Sequence, residues 1–415
     1  MRAAPLRRNR DFVLLQLSQL LASGGSQMTA IAYPLLVLAL TGSAARAGVV
    51  AFARLLAMAL FALPAGLAAD RWNRKWLIIA AHALRALAVG TLGVLVLLEE
   101  VVFWAIPLVA FVEGSGAALS SVASAGALRA VVPKRQLPAA TAVITGREAA
   151  ISLVSPAAGG ALFGLARALP FVVHAGLYVF ATLALLAMRT PFQEGHQVDR
   201  SPLRARLGTG FRFLWGHPFL RTCALLFGLA NFIGPGVLLA LVVIGQRQGL
   251  SGAEVGLLLS AFGASLLLGA FVSPLVRRWL PVRGVLLLEL WTWAGCGLFL
   301  VWPNAYVLAA SILPTALAIP STDSVVNTFQ LSLTPDRILG RVESVRTTIA
   351  LMIAPLGPLA AGLLLDAVSA RATIAVFAAC GLALAVWGTL SPSIRGAPSL
   401  DELAELPEVL PAARS

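Results

Sequence analysis

Charge is scarce in this sequence: 12% of its 415 residues are Asp, Glu, Lys or Arg, against about 25% in ordinary soluble domains. Water is therefore not the main solvent of the chain. Lysine is nearly missing, with only Lys75 and Lys134 among 31 basic residues. A phosphate-cradling G-x-x-x-x-G-K-[ST] loop needs its Lys directly after Gly, and these two follow Arg74 and Pro133, which excludes ATP hydrolysis through such a loop. The four histidines, His82, His174, His196 and His217, form no H-E-x-x-H pair, and no G-x-S-x-G elbow occurs, so neither a zinc peptidase nor a serine hydrolase is expected. Each of the three cysteines, Cys223, Cys296 and Cys380, sits in an apolar stretch, where a thiol packs as a small hydrophobe. No disulfide, metal site or cofactor is expected, and no enzyme.

What the sequence has instead is apolar length. Hydrophobic residues make up 59% of the chain, and nearly uncharged runs recur, each close to or above the roughly 20 residues that cross a bilayer as a helix. Twelve spans are predicted, at 12–40, 46–69, 76–98, 102–126, 138–165, 170–188, 219–245, 252–276, 284–303, 305–329, 341–366 and 371–392. The fold class is all-α integral membrane. The net charge of +13 is spread over short loops instead of one stripe or tail, which argues against a nucleic-acid partner. Arg2, Arg7, Arg8 and Arg10 before the first run resemble a signal peptide, but the run is long and many spans follow, so an uncleaved first helix is expected.

The loop charges orient the chain. With the N-terminus in the cytoplasm, Arg71, Arg74, Lys75, Arg129, Lys134, Arg135, Arg277, Arg278, Arg283, Arg337 and Arg341 all fall in cytoplasmic loops, and only Arg46, Arg167, Arg247 and Arg371 fall opposite. That asymmetry satisfies the positive-inside rule, and an even number of spans returns the C-terminus to the cytoplasm. The expected location is a bacterial inner membrane, with lipid around a monomer.

The longest polar segment splits the spans six and six. The predicted organisation is an N-terminal six-helix half at 1–188, a cytoplasmic linker at 189–217, a C-terminal half at 218–395 and a cytoplasmic tail at 396–415. The halves repeat. Moving Pro133 onto Pro335 also lays Arg135 on Arg337, Leu137 on Leu339, Val143 on Val345, Pro156 on Pro358 and Gly160 on Gly362, while a second shift lays Phe12 on Phe219, Gly42 on Gly249, Arg71 on Arg278 and Trp72 on Trp279. Parallel six-helix repeats are a transporter plan in which cargo sits between the halves near mid-membrane.

After the second span comes Pro64-Ala-Gly-Leu-Ala-Ala-Asp-Arg-Trp-Asn-Arg-Lys75. Gly66 is expected to let another helix approach, and Asp70 to accept hydrogen bonds from a neighbouring helix N-terminus or pair with an Arg. Gly66, Asp70, Arg71, Arg74 and Lys75 resemble the signature loop of the major facilitator superfamily, G-x-x-x-D-R-x-x-R-[KR]. The resemblance implies two pseudo-symmetric halves that rock between inward-open and outward-open states, with this loop as a latch on the cytoplasmic side. In the second half Arg277 stands where Asp70 would align, so only the first latch is complete. Asn9-Arg-Asp-Phe12, Thr41-Gly-Ser43, Ala83-Leu-Arg85 and Pro335-Asp-Arg-Ile-Leu-Gly-Arg-Val342 narrow the resemblance to a branch with enterobactin exporters and macrolide efflux proteins. His82 stands where that branch is expected to carry an acid, which leaves the partner of Arg85 open. Ser155-Pro-Ala-Ala-Gly-Gly160 resembles a helix-bend motif of proton-coupled antiporters, carried by Pro156, Gly159 and Gly160.

Polar faces inside the spans mark the expected cargo cavity: Gln16, Gln19, Ser23, Ser26 and Gln27 in the first, Glu113, Ser120 and Ser124 in the fourth, Asn231 in the seventh, and Ser311, Thr315 and Thr322 in the tenth. An intramembrane charge costs about 2.5–3.5 kcal/mol on insertion scales and needs a partner, water or a task. Arg54 and Glu113 lie near mid-span and are expected to face each other, either as a site coupled to protons or cargo or as a permanent pair that orients helices. Glu148 and Asp323 are the next charge-site candidates, whereas Arg85, Arg147, Glu289, His82 and His174 are read as structural. The resemblance thus implies proton-coupled export of a small amphipathic cargo such as a drug, a siderophore or a secondary metabolite. A nutrient importer on the same fold and a non-transporting receptor are the alternatives, the receptor being disfavoured by a short tail carrying only Asp401, Glu402, Glu405 and Glu408.

Overall fold

The computed structural model describes residues 6–190 and 203–398, and among them every regular element is helical. The helices are α1 (Arg10–Thr41), α2 (Ala44–Arg71), α3 (Arg74–Leu97), α4 (Ala105–Val131), α5 (Leu137–Leu165), α6 (Leu169–Leu186), α7 (Leu203–Gly216), α8 (Pro218–Arg247), α9 (Gly252–Trp279), α10 (Val282–Ala294), α11 (Ala305–Leu333), α12 (Asp336–Ile353), α13 (Leu356–Ala367) and α14 (Ala370–Leu390). Twelve membrane-length spans are present among the described residues. Their limits follow the predicted ones closely; the largest differences are at the tenth, which runs on to Leu333, and the eleventh, which starts at Arg337.

Two spans are interrupted. The ninth continues from α10 as a 3-10 helix over Gly295–Leu300, and the eleventh breaks between α12 and α13, where Pro355 lacks the N–H a continuous helix requires. The polar stretch expected as a plain linker contains α7, which packs on α12 so closely that a Cβ at Gly210 would meet the Arg341 carbonyl. The tail acids Asp401, Glu402, Glu405 and Glu408 and His196 lie outside the described residues.

Helix ends are set by local chemistry. Asn9 caps α1 by accepting from the Phe12 N–H at 3.1 Å and also donates to the Val131 carbonyl at 2.9 Å, while Asp11 accepts from the backbone of Thr190 at 2.8 Å. The Asn9-Arg-Asp-Phe12 run therefore ties the start of α1 to the ends of α4 and α6. Gly42 closes α1 in the left-handed region at φ 66°, and Ser43 then caps α2, a sequence of conformations that needs Gly followed by a side-chain acceptor.

The chain divides into two compact units. The first comprises residues 1–198 with 238–263 and 358–367; the second comprises 199–237, 264–357 and 368–415. In the first, α2 packs along α4, α1 along α5 and α6, and α3 along α4 and α6. The distal parts of α8, α9 and α13, at the end where α1 finishes, belong to this unit. There α5 crosses α9 with Gly160 against the Gly252 carbonyl and Gly256 against the Pro156 carbonyl, and no Cβ fits at either place. The Ala157 N–H donates to Ser260 Oγ at 3.0 Å, so the bend motif Pro156, Gly159, Gly160 forms a helix crossing; Gly159 is held equally close to the backbone of Met28.

In the second unit α10 packs on α11 and α14, and α12 on α7. α8 enters the first unit directly after Gly234-Pro235-Gly236, at Leu238.

Candidate transport site in the first unit

Glu113 is fully buried on α4. Its Oε1 accepts from Ser26 Oγ at 2.7 Å and its Oε2 from the Tyr33 hydroxyl at 2.9 Å, both on α1, seven residues or two helical turns apart on one face. Two guanidiniums face it: Arg54 Nη2 of α2 at 3.8 Å and Arg85 Nη2 of α3 at 3.7 Å. Ser26 Oγ joins all three, because it donates to Glu113 and accepts from Arg54 at 2.8 Å and Arg85 at 3.3 Å. Four helices thus meet on one hydroxyl. Gly114 lets α4 come that close, since a Cβ there would run into the Arg54 carbonyl.

Arg85 also lies over the Tyr178 ring, 4.5 Å from its centroid, a cation–π contact. His174 sits on the same ring at 4.3 Å and holds Thr29 Oγ1 within 3.0 Å of Nδ1; His82 is 5.5 Å from it. Arg85, read as structural, thus joins the Glu113 cluster as an ion-pair partner. The acid missing at His82 is supplied by Glu113 from the neighbouring α4. Two cations against one anion leave the cluster with a formal excess of one positive charge.

A cavity of about 840 Å³ opens beside it, lined entirely by the first unit. Gln16, Gln19, Ser23, Gln27 and Ser120 line it, together with Ser26, Arg54, Arg85, Arg147 and Glu148, and with apolar Leu15, Ala22, Met58 and Ile151 between them. Gln19 donates to Ser124 Oγ at 2.7 Å, and Arg147 donates to Gln16 at 2.7 Å while pairing with Glu148 at 3.3 Å. Glu113 is absent from the lining: it stands one layer behind, with Ser26 and Arg54 between it and the cavity. Tyr33 and Tyr178 escaped sequence reading, although the seven-residue step from Ser26 to Tyr33 was visible.

The remaining candidates lie in the second unit. Thr315 on α11 is fully buried and faces no water. Asn231 on α8 is exposed and donates to the Phe227 carbonyl of its own helix at 2.7 Å. Asp323 on α11 is exposed, and in the same unit Glu343 accepts from Gln330 at 2.6 Å and pairs with Arg346 at 2.9 Å. Of the charge candidates, only Arg54, Glu113 and Glu148 gather at or behind the cavity.

In the latch sequence, Lys75 Nζ donates to the Met188 carbonyl at 2.7 Å, just past the end of α6, where a cation is favoured. Arg74 donates to the Ala69 carbonyl at 3.3 Å and lies on α4 against Gly126; Arg71 is exposed, and the Asp70 side chain lies outside the described residues. Gly66 has open space around it, so the close approach expected there is not made.

Twelve spans among the described residues, a single-hydroxyl junction of buried charges and a solute-sized polar cavity in the first unit define a polytopic α-helical membrane protein. The sequence matches the Major Facilitator Superfamily over residues 15–280, and the chain belongs to that family: it is a membrane transporter and not an enzyme. It is 27% identical over 406 residues to the multidrug efflux pump Tap of Mycolicibacterium fortuitum, covering 92% of this chain and 96% of that one. It is 29% identical over 295 residues to the enterobactin exporter EntS of Shigella boydii serotype 4 (strain Sb227), covering 68% of each. Among solved structures, the nucleoside transporter NupG superposes with a TM-score of 0.72 at 14% identity, covering 94% of this chain and 100% of that one. A bacterial homologue of the iron transporter ferroportin superposes at 0.70 and 18%, covering 92% and 98%. At those identities they establish the fold.

Proposed function

We propose that this transporter exports a small amphipathic molecule across a bacterial inner membrane in exchange for protons, with both termini in the cytoplasm and the six-helix halves as its moving bodies. The observation that carries this reading is the cavity itself. Alternating apolar and amide-bearing walls suit a cargo with both characters, and at its inner end Ser26 and Arg54 separate it from one buried carboxylate. Such a carboxylate can exchange a proton only when its cationic partners move aside, so movement of Arg54 couples cargo in the cavity to protonation of Glu113. Drug- and siderophore-exporting relatives support the direction. The positive-inside bias supports the orientation, and Asp70, Arg71, Arg74 and Lys75 supply a cytoplasmic latch.

The same fold includes a D-xylose-proton symporter, with a TM-score of 0.72 and 12% identity, so import on this scaffold is the competing reading. Inside-out vesicles decide between them. An acid lumen should drive accumulation of a fluorescent amphiphile if protons leave the lumen as cargo enters it. Accumulation in right-side-out vesicles under an inward proton gradient, with none in inside-out vesicles, would make the protein an importer.

A further inference from the structure

At the distal end of the first unit, one carboxylate gathers donors from two other helices. Asp366, in the last turn of α13, accepts from the Ala44 N–H at 3.0 Å, the Ala45 N–H at 2.9 Å and Ser43 Oγ at 2.7 Å, which are the first turn of α2 and its cap. Arg247, the last residue of α8, donates to Asp366 Oδ1 at 2.8 Å and to the neighbouring Leu365 carbonyl at 2.7 Å. The first N–H groups of a helix have no partner within it and carry partial positive charge. A carboxylate there gains from both. Ser43 already caps α2 locally by accepting from the Arg46 N–H at 3.2 Å, so α2 does not depend on Asp366 to begin at Ala44.

Asp366 instead binds α2, α8 and α13 to one another. Nearby, Gly48 of α2 lies against the Pro358 carbonyl and Gly362 of α13 against the Ala44 carbonyl, and α8, which carries Arg247, packs through Val242 with Ile31 and Leu35 of α1 and Val255 of α9 in one buried apolar cluster. Both side chains of the ion pair keep contact with solvent, at 29% for Asp366 and 42% for Arg247. Water can replace each lost bond, which distinguishes this site from the sealed Glu113 cluster and makes its release cheap. A short way inward, α8 carries Gly234-Pro235-Gly236 within its continuous helix, and the chain breaks at Pro355 just before α13.

We propose that Asp366 is the positioning residue of a reversible clasp, in which the end of α13 caps the N-terminus of α2 and Arg247 locks the cap, and that its opening exposes the face of the transporter opposite the termini. This rests on the alternating-access reading above. The test reads accessibility without any cargo, so failure to find an exported compound leaves it intact.

In full-length protein lacking Cys223, Cys296 and Cys380, Leu35→Cys reports the distal cluster and Ser23→Cys reports the cavity, each labelled by an impermeant maleimide from its own side of oriented vesicles. Asp366→Asn and Asp366→Ala should raise labelling at residue 35 by about three- to tenfold and lower it at residue 23; tenfold is about 1.4 kcal/mol. Arg247→Gln should act in the same direction and less. The exchange Asp366→Arg with Arg247→Asp should not restore closure, because a cation would then face the N–H groups of α2. Unchanged labelling at both reporters, or a parallel rise at both from a merely loosened fold, would overturn the proposal. Full restoration by the charge exchange would reduce the clasp to an ordinary ion pair and overturn the helix-capping role.

Discussion

Replacing Glu113 with Gln removes a charge and almost no volume, which makes it a direct probe of the buried cluster. Two guanidiniums sit at 3.7 and 3.8 Å from the carboxylate, and each pair is worth roughly 4 kcal/mol at an effective dielectric of about 20. Part of that is returned, since a neutral amide needs no charge desolvation. Breaking one side of a buried pair therefore costs about 3–5 kcal/mol in measured cases. The damage should be unequal between the partners. The Arg54 side chain is 17% exposed and can turn to water, whereas Arg85, although it borders the same cavity, is 4% exposed and held over the Tyr178 ring, so it turns to water less readily. Hence Glu113→Gln should lower stability by about 3–5 kcal/mol in an SDS titration in mixed micelles. Adding Arg85→Met should recover more than half of the loss, even though the contact with Tyr178, worth about 0.5–2 kcal/mol, is lost as well. Adding Arg54→Met should recover less. Undiminished stability of Glu113→Gln, or better rescue from Arg54→Met than from Arg85→Met, would refute the account of which cation is sealed.

Further outcomes follow from the same geometry. Tyr33→Phe deletes one donor to Glu113 and should cost about 1.5–3 kcal/mol, the usual worth of a hydrogen bond to a charge, in the same titration. Single cysteines at Gln19, Ser23 and Ser120 should react with a water-soluble maleimide, whereas one at Thr315 should stay protected unless cargo or a proton gradient changes the conformation. Asp70→Asn should cut transport severalfold at equal membrane abundance, because the latch charge is lost while side-chain size hardly changes; wild-type rates would remove Asp70 from the latch.

The number and limits of the spans were legible because bilayer crossing imposes a length and composition that no short segment mimics. The pairing of Arg54 with Glu113 was legible because both lie near mid-span. The place of Arg85 was not, since depth along a helix says nothing about which way the helix is rotated, and that rotation is set by contacts such as Gly114 on the Arg54 carbonyl. Thr315 shows the same limit from the other side: a polar stripe at helical spacing marks one face but does not tell water from a neighbouring helix. Asp366 was not singled out in the sequence, because its partners Ser43 and Ala44 are more than 300 residues away. The helix α7 was hidden by the high charge of its segment, which read as linker.

The measurement that bears most directly on the coupling claim compares two modes of transport by Glu113→Gln in proteoliposomes. Proton-driven accumulation of cargo requires the carboxylate to load and release a proton, whereas downhill exchange of labelled for unlabelled cargo does not. In Glu113→Gln, accumulation should be abolished while exchange persists at a rate comparable to the unmodified protein. Accumulation that survives at the unmodified level would contradict it and leave Glu113 as a fixed ion pair that orients α1, α2, α3 and α4.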